Sequence, residues 1–255
     1  MTMTETLVGR VVIITGAASG IGRACARVLA IDGCRLVLVD VNHAALDDLR
    51  GELFALPTPP ELLALRLSVC NEEDMRRMCE DTVARFGRID ALVACAGILR
   101  IGRTLKTVAD TPLEDWRAII DTNLTGCFLS NRAVLPVMLA QRQGDIINLS
   151  STSGRQGRPF DGPYCASKSG IIGLSESLAE EVASQGVRVQ TLLPDAVETP
   201  LWEQNGPAAL KPVTLLLPEH VAEFIRYMLA LPREAYLLNP VLAPFKSRKK
   251  RRPAQ

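Results

Sequence analysis

Six short apolar runs, rich in β-branched residues, alternate along the chain with longer segments whose apolar residues recur three and four apart. The runs are Val11–Thr15, Arg35–Asp40, Leu63–Leu67, Ala91–Cys95, Asp145–Ser150 and Val187–Leu193. They are apolar nearly throughout instead of alternating with polar residues, which is the pattern of parallel strands buried on both faces. The segments between and after them, roughly 20–31, 43–53, 72–86, 112–141, 163–185 and 218–231, carry helical spacing. This alternation predicts an α/β fold, a doubly wound parallel β-sheet with helices on both faces. A chain of 255 residues that is 47% hydrophobic has enough apolar material to bury such a sheet. No repeat or linker divides it, so residues 1–245 read as a single domain, and 246–255 as a basic, disordered tail.

Several function classes lose their raw material. The formal net charge is +1, which provides no general attraction to nucleic acid or anionic lipid. The local exception is Lys246–Arg252, read here as a solvated tail instead of a nucleic-acid contact. Seven cysteines are scattered and never spaced as CxxC, which argues for a reducing compartment and against a disulfide framework or zinc site. With only His43 and His220 present, neither a histidine metal centre nor a Ser-His-Asp triad is expected. No signal peptide or membrane span is evident, so a cytoplasmic location is the expectation.

After the first run comes Thr15-Gly16-Ala17-Ala18-Ser19-Gly20-Ile21-Gly22, and a helical pattern follows at once. Glycines let the backbone turn tightly and let a phosphate approach without a Cβ in the way. The helix start then offers unpaired N–H groups and a partial positive charge to a pyrophosphate. An acid, Asp40, closes the second run, as a Rossmann-type dinucleotide site requires. Its carboxylate accepts from ribose hydroxyls and repels a 2′-phosphate, which favours NAD over NADP.

Tyr164 and Lys168 stand four residues apart, so on a helix they share one face, a turn apart. An ammonium favours the phenolate: two unit charges ~4 Å apart interact by about 4 kcal/mol at an effective dielectric near 20, enough to lower a tyrosine pKa from about 10 towards neutral pH. Such a phenol exchanges a proton with a carbinol or carbonyl oxygen.

The motifs TGAASGIG (15–22), LVLVD (36–40), DTNLTG (121–126), INLSSTSG (147–154) and YCASK (164–168) occur in order. In combination they make the chain similar to the short-chain dehydrogenase/reductase family, from about residue 9 to 202. The resemblance implies a catalytic set of Asn123, Ser151, Tyr164 and Lys168. Ser151 would hydrogen-bond the substrate oxygen and Tyr164 would act as general acid/base. Lys168 would lower the tyrosine pKa and bind the nicotinamide ribose, while the Asn123 carbonyl would hold a water linking the lysine to solvent. The implied cofactor contacts are Gly16, Ser19, Gly20, Ile21, Gly22, Asp40, Val69, Ala96, Gly97, Tyr164, Lys168, Pro194, Val197 and Thr199. The implied reaction is hydride transfer between NAD and a secondary alcohol or ketone, in a homo-oligomer (dimer or tetramer). The rival readings are an NADP-dependent carbonyl or ketoacyl reductase of the same fold and a non-catalytic nucleotide-binding regulator.

The chain departs from the family pattern at four places. Ala94-Cys-Ala-Gly97 replaces a pair of asparagines, Ser68 replaces an acid beside the adenine, and Asp195 follows Pro194 where a glycine is usual. The last strand is short and carries Pro240. Candidate substrate contacts are Ser153, Arg155, Phe160 and Trp202, and no metal ligand is expected.

Overall fold

The computed structural model describes residues 5–206, 212 and 214–245; the basic tail expected at 246–255 lies outside the described residues. Strands β1 (Val11–Thr15), β2 (Arg35–Asp40), β3 (Leu62–Arg66), β4 (Ala91–Ala94), β5 (Gly144–Leu149), β6 (Val187–Pro194) and β7 (Val241–Leu242) form one sheet in the order β3-β2-β1-β4-β5-β6-β7. Every pairing is parallel. The helices are α1 (Gly20–Ile31), α2 (His43–Phe54), α3 (Glu72–Phe86), α4 (Leu113–Ile120), α5 (Gly126–Gln141), α6 (Gly162–Val182) and α7 (Pro218–Leu229). The doubly wound architecture read from the apolar pattern is the one observed.

Successive strand side chains point to opposite faces, and each face has its own core. Val12 and Ile14 of β1 pack with Leu36 and Leu38 of β2 against α1, α2 and α7. Val11 and Ile13, with Val37 and Val39, pack against α3, α5 and α6. Each fully buried aliphatic side chain contributes about 1.5–3 kcal/mol.

Two elements differ from the apolar pattern. The helix read over 112–141 is broken: α4 ends at Ile120, a π-helical turn spans Asp121–Thr125, and α5 starts at Gly126. A π turn adds a residue to one helical turn, an insertion that a 3.6-residue period averages away. At its exit, a Cβ on Gly126 would stand 2.6 Å from Val69 Cγ2, so only glycine lets the helix approach the loop after β3. The last strand shrinks to Val241–Leu242, starting directly after Pro240, whose missing N–H rules out a longer ladder there.

The strand order reverses direction between β1 and β4, and the chain leaves their carboxyl ends in opposite directions. Such a switch point opens a crevice at the carboxyl edge of a parallel sheet.

Candidate active site

A cavity of about 500 Å³ runs along that edge, lined by residues that follow β1, β2, β3, β4, β5 and β6. At one end lies the glycine turn. Gly16 has φ of 67°, and a Cβ there would sit 2.8 Å from the Ala96 backbone; a Cβ on Gly22 would collide with the Gly16 carbonyl. The turn is therefore packed backbone to backbone. Ser19 precedes α1 without a side-chain cap, so the first N–H groups of the helix, at Gly20, Ile21 and Gly22, border the cavity uncapped. These groups form an anion site by construction.

Asp40 ends β2 at the cavity wall. Its Oδ2 accepts from Ala18 N–H at 3.0 Å and its Oδ1 from Asn42 N–H at 2.9 Å. Both oxygens are thereby fixed, and a carboxylate with about four acceptor sites keeps two for a ligand. Arg23 is turned elsewhere: it pairs with Glu52 and donates to the carbonyls of Ala18 and Ala45. Among the described lining residues the cations are Arg158 and Lys168, and neither lies beside Asp40 in the fold. Val39, Val41, Leu67 and Val69 supply an apolar wall. A close-packed turn without room for a Cβ, an uncapped helix start and a fixed carboxylate together fit a nicotinamide dinucleotide.

At the other end, α6 presents Tyr164 and Lys168 one turn apart, 9% and 5% exposed. Pro163 begins the helix with its φ already set, and the chain enters it from the loop after β5. Lys168 Nζ donates to the Leu149 carbonyl at 2.7 Å, and Ser150 Oγ donates to the Lys168 carbonyl at 2.8 Å. These bonds pin α6 to the end of β5. Ser151 follows, its Oγ accepting from Ser153 N–H at 3.1 Å and hydrogen-bonding Tyr164.

The electrostatics differ from what the spacing alone suggests. Burial pushes the Tyr164 phenol up to about 12, against the lowering effect of the Ser151 hydrogen bond and of Arg158. Burial pushes the Lys168 ammonium down to about 8. Lys168 Nζ lies 5.6 Å from the Tyr164 ring centroid and is not among the main charges acting on the phenol. Desolvation of both groups outweighs their mutual Coulomb attraction, so the protein by itself holds the tyrosine protonated.

Asn123 sits in the π turn, fully buried. Its Oδ1 accepts from Ile98 N–H at 2.8 Å; its Nδ2 donates to the Ile98 carbonyl at 2.9 Å and to Ser167 Oγ at 3.0 Å. The side chain thus fastens the loop after β4 to α6, beside Gly97. The structure gathers Gly16, Ser19, Gly20, Ile21, Gly22, Asp40, Val69, Ala96, Gly97, Ser151, Ser153, Tyr164, Lys168, Pro194, Val197, Thr199 and Trp202 around the one cavity. Trp202 is oriented by its Nε1, which donates to the Val197 carbonyl at 2.7 Å.

Arg155 and Phe160 are not brought in. Both are exposed on the loop before α6 and outside the cavity wall. Phe160 has a left-handed backbone, φ 66°, and its carbonyl accepts from Arg100 Nη1 at 3.0 Å. The wall also includes Thr122, Asp161, Leu201 and Gln204. Gln204 Oε1 accepts from Leu99 N–H at 2.7 Å across the mouth, a contact between distant residues that leaves no local signal. Asp161 stands at the N-cap of α6, where an acid is readable from sequence. Its carboxylate makes no cap bond because Arg100 takes it.

Residues 10–209 match the short chain dehydrogenase family. The chain belongs to that family. This short-chain dehydrogenase is 38% identical to the 3-oxoacyl-[acyl-carrier-protein] reductase of Synechocystis sp., over 91% of this chain and 93% of the relative. It is 35% identical to the cis-4-hydroxycyclohexanecarboxylate dehydrogenase of Sinomonas cyclohexanicum, over 94% and 97%. The crystal structure of levodione reductase superimposes with a TM-score of 0.85 at 28% identity, covering 93% of this short-chain dehydrogenase and 96% of that chain. No helix among the described residues is long and apolar enough to cross a membrane.

Proposed function

We propose that this short-chain dehydrogenase uses NAD to interconvert a secondary alcohol and a ketone. One observation carries the reading: the cavity has an anion-binding helix start and a fixed carboxylate at one end, and Ser151, Tyr164 and Lys168 at the other. The dinucleotide would be held by the turn at Gly16–Gly22, by Asp40, Val69, Ala96, Gly97 and Lys168, and by Pro194, Val197 and Thr199 at the reaction end. When bound, it supplies the carbon that accepts or gives a hydride. Ser151 donates to the substrate oxygen, and Tyr164 exchanges its phenolic proton with that same oxygen. Lys168, held by the Leu149 carbonyl, places a positive charge behind the phenol. Asn123 holds the loop at Ile98 and α6 in register, so that the substrate-side wall keeps its shape.

The choice of NAD rests on Asp40. A 2′-phosphate would meet a carboxylate already anchored by two backbone N–H groups, and among the described lining residues the cations, Arg158 and Lys168, belong to the other end of the cavity. A relative named for a hydroxyl-bearing ring and one named for a 3-oxoacyl chain support a ring or chain carbinol or ketone as substrate. The catalytic unit spans residues 1–245 of a cytoplasmic enzyme. Exposed Leu113, Trp116 and Phe128 on α4 and α5 favour a homo-oligomer packed through these helices and α6, checked by light scattering.

The test is an initial-rate screen of secondary alcohols and ketones with NAD and with NADP, read from the absorbance of the reduced cofactor. The expected result is turnover with a lower KM for NAD. Turnover confined to NADP would overturn the assignment of Asp40, and no turnover with either would overturn the catalytic reading.

A further inference from the structure

We propose that Asp195 is a specificity-determining residue: it is the built-in counter-ion of Arg158 and sets the substrate mouth against alcohols that carry a carboxylate. The inference rests on the reading of this cavity as a dehydrogenase site.

Asp195 follows β6 directly, and its N–H donates to the Leu242 carbonyl at 2.8 Å, so the β6–β7 pairing fixes its backbone. Its side chain faces the cavity and is 10% exposed. Oδ1 accepts from Arg158 Nη2 at 2.7 Å and from Thr152 Oγ1 at 3.0 Å. Arg158 Nη2 lies 3.2 Å from the same hydroxyl, so the three side chains close a triangle. Thr152 and Arg158 belong to the segment between β5 and α6 that carries Ser151 and leads into Tyr164. Asp195 belongs to the turn after β6, the strand that pairs with β5. The pair therefore joins two neighbouring loops of the cavity wall on the side of Ser151 and Tyr164.

A guanidinium at such a place is the usual docking point for a carboxylate, which it binds in a charge-assisted, often bidentate manner. Here the protein has filled that role itself. The other carboxylate at this end, Asp161, is likewise matched, by Arg100. A carboxylate-bearing alcohol would have to displace Asp195 from Arg158 or dock beside a like charge at short range. A neutral carbinol or ketone faces neither cost, because the pair is electrically closed before it arrives. Replacing Asp195 by asparagine keeps the side-chain shape and the hydroxyl contact while removing the charge, which leaves Arg158 open to an incoming anion.

The experiment compares kcat/KM for cis-4-hydroxycyclohexanecarboxylate with that for cyclohexanol, taken as a ratio so that a general loss of rate cancels. In the wild-type enzyme the ratio is expected below one. Asp195→Asn raises it by about tenfold or more, and adding Arg158→Gln returns it to within about threefold of the wild-type value. Arg158→Gln alone lowers it by about tenfold, which tests the pair without touching residue 195. A wild-type ratio above one, or ratios that neither variant moves, would overturn the proposal. Calorimetric titration of cyclohexanecarboxylate into each variant with NAD gives a readout free of turnover. About tenfold tighter binding by Asp195→Asn supports the proposal even if neither alcohol reacts, and equal binding overturns it. Carboxylate binding that follows this order, without turnover of any alcohol, would instead count against the dehydrogenase reading.

Discussion

At the amino-terminal edge of the sheet, fully buried Asp145 accepts from three guanidiniums: Arg10, Arg188 at 2.7 Å and Arg233 at 3.0 Å. At the carboxyl edge, buried Lys168 donates to one backbone carbonyl. Both edges belong to the same strands, and β5 carries Asp145 near its start and Leu149 at its end. The first edge is sealed. Asp90 Oδ2 accepts from Val11 N–H at 2.8 Å, and Arg188 also reaches the carbonyls of Pro232 and Ala235 at 3.0 and 2.6 Å, tying the segment after α7 to the strands. The second edge is left open to a cavity, with a phenol and an ammonium both held away from their ordinary pKa values by burial. The difference teaches where chemistry is possible. A charge ringed by counter-charges holds the fold, whereas a charge stripped of water and lightly partnered is available to a ligand.

The largest expected effect is at the open edge. Tyr164→Phe removes the proton carrier and is expected to lower kcat/KM by about 10³-fold, roughly 4 kcal/mol of transition-state stabilisation, with an unchanged melting transition. Retention of more than a tenth of the wild-type rate on every active alcohol would sink the assignment. The sealed edge should behave in the opposite way. Asp145→Asn leaves three guanidiniums short of their carboxylate and is expected to lower unfolding free energy by about 3–4 kcal/mol. Its kcat/KM at a temperature where the variant is folded should stay within about twofold of wild type. Urea denaturation together with initial rates separates the two edges; a stability loss under 1 kcal/mol would break the comparison. Asp40→Asn comes next. It should shift the NAD-to-NADP ratio of kcat/KM towards NADP by about thirtyfold, near 2 kcal/mol.

The strand cores were legible because parallel strands buried on two faces need unbroken apolar runs, and Val11–Thr15 and Arg35–Asp40 end where they were read. The glycine turn and the Tyr164–Lys168 pair were legible because each is a local device set by spacing. What was hidden depends on distance or on burial. The π turn at Asp121–Thr125 is invisible to periodicity, and the Arg158–Asp195 pair joins loops that only the sheet brings together. The expected lowering of the Tyr164 pKa by Lys168 counted the attraction between the two groups and left out the desolvation that burial imposes on both. Arg155 and Phe160 were read as wall residues from their place after β5, but the loop turns them outward; Asp161 and Arg158 on the same loop face in.

The smallest effect is the most direct measure of what the open edge costs the fold. Burial holds the Lys168 ammonium near a pKa of about 8 in the folded protein, below the ordinary 10.5. Between those values the unfolded chain binds more protons than the native one, so stability attributable to this group rises with pH across the window. The penalty is fully present below about 8. Lys168→Met removes it and is expected to be about 1–2 kcal/mol more stable than wild type at pH 7, net of the bond lost at the Leu149 carbonyl. That advantage should shrink as pH passes 8 and change sign before about pH 10, where the penalty has largely gone and the lost bond at the Leu149 carbonyl remains. Tyr164 works with the opposite sign and later: its folded value of about 12 exceeds the ordinary 10.0, so its contribution is lost only as pH rises above 10. Urea denaturation of both proteins at pH 7 and 9.5 reads the difference directly. A variant less stable than wild type at pH 7, or an advantage that does not change with pH, would mean that Lys168 is as well satisfied as Asp145, and the contrast between the two edges would fail.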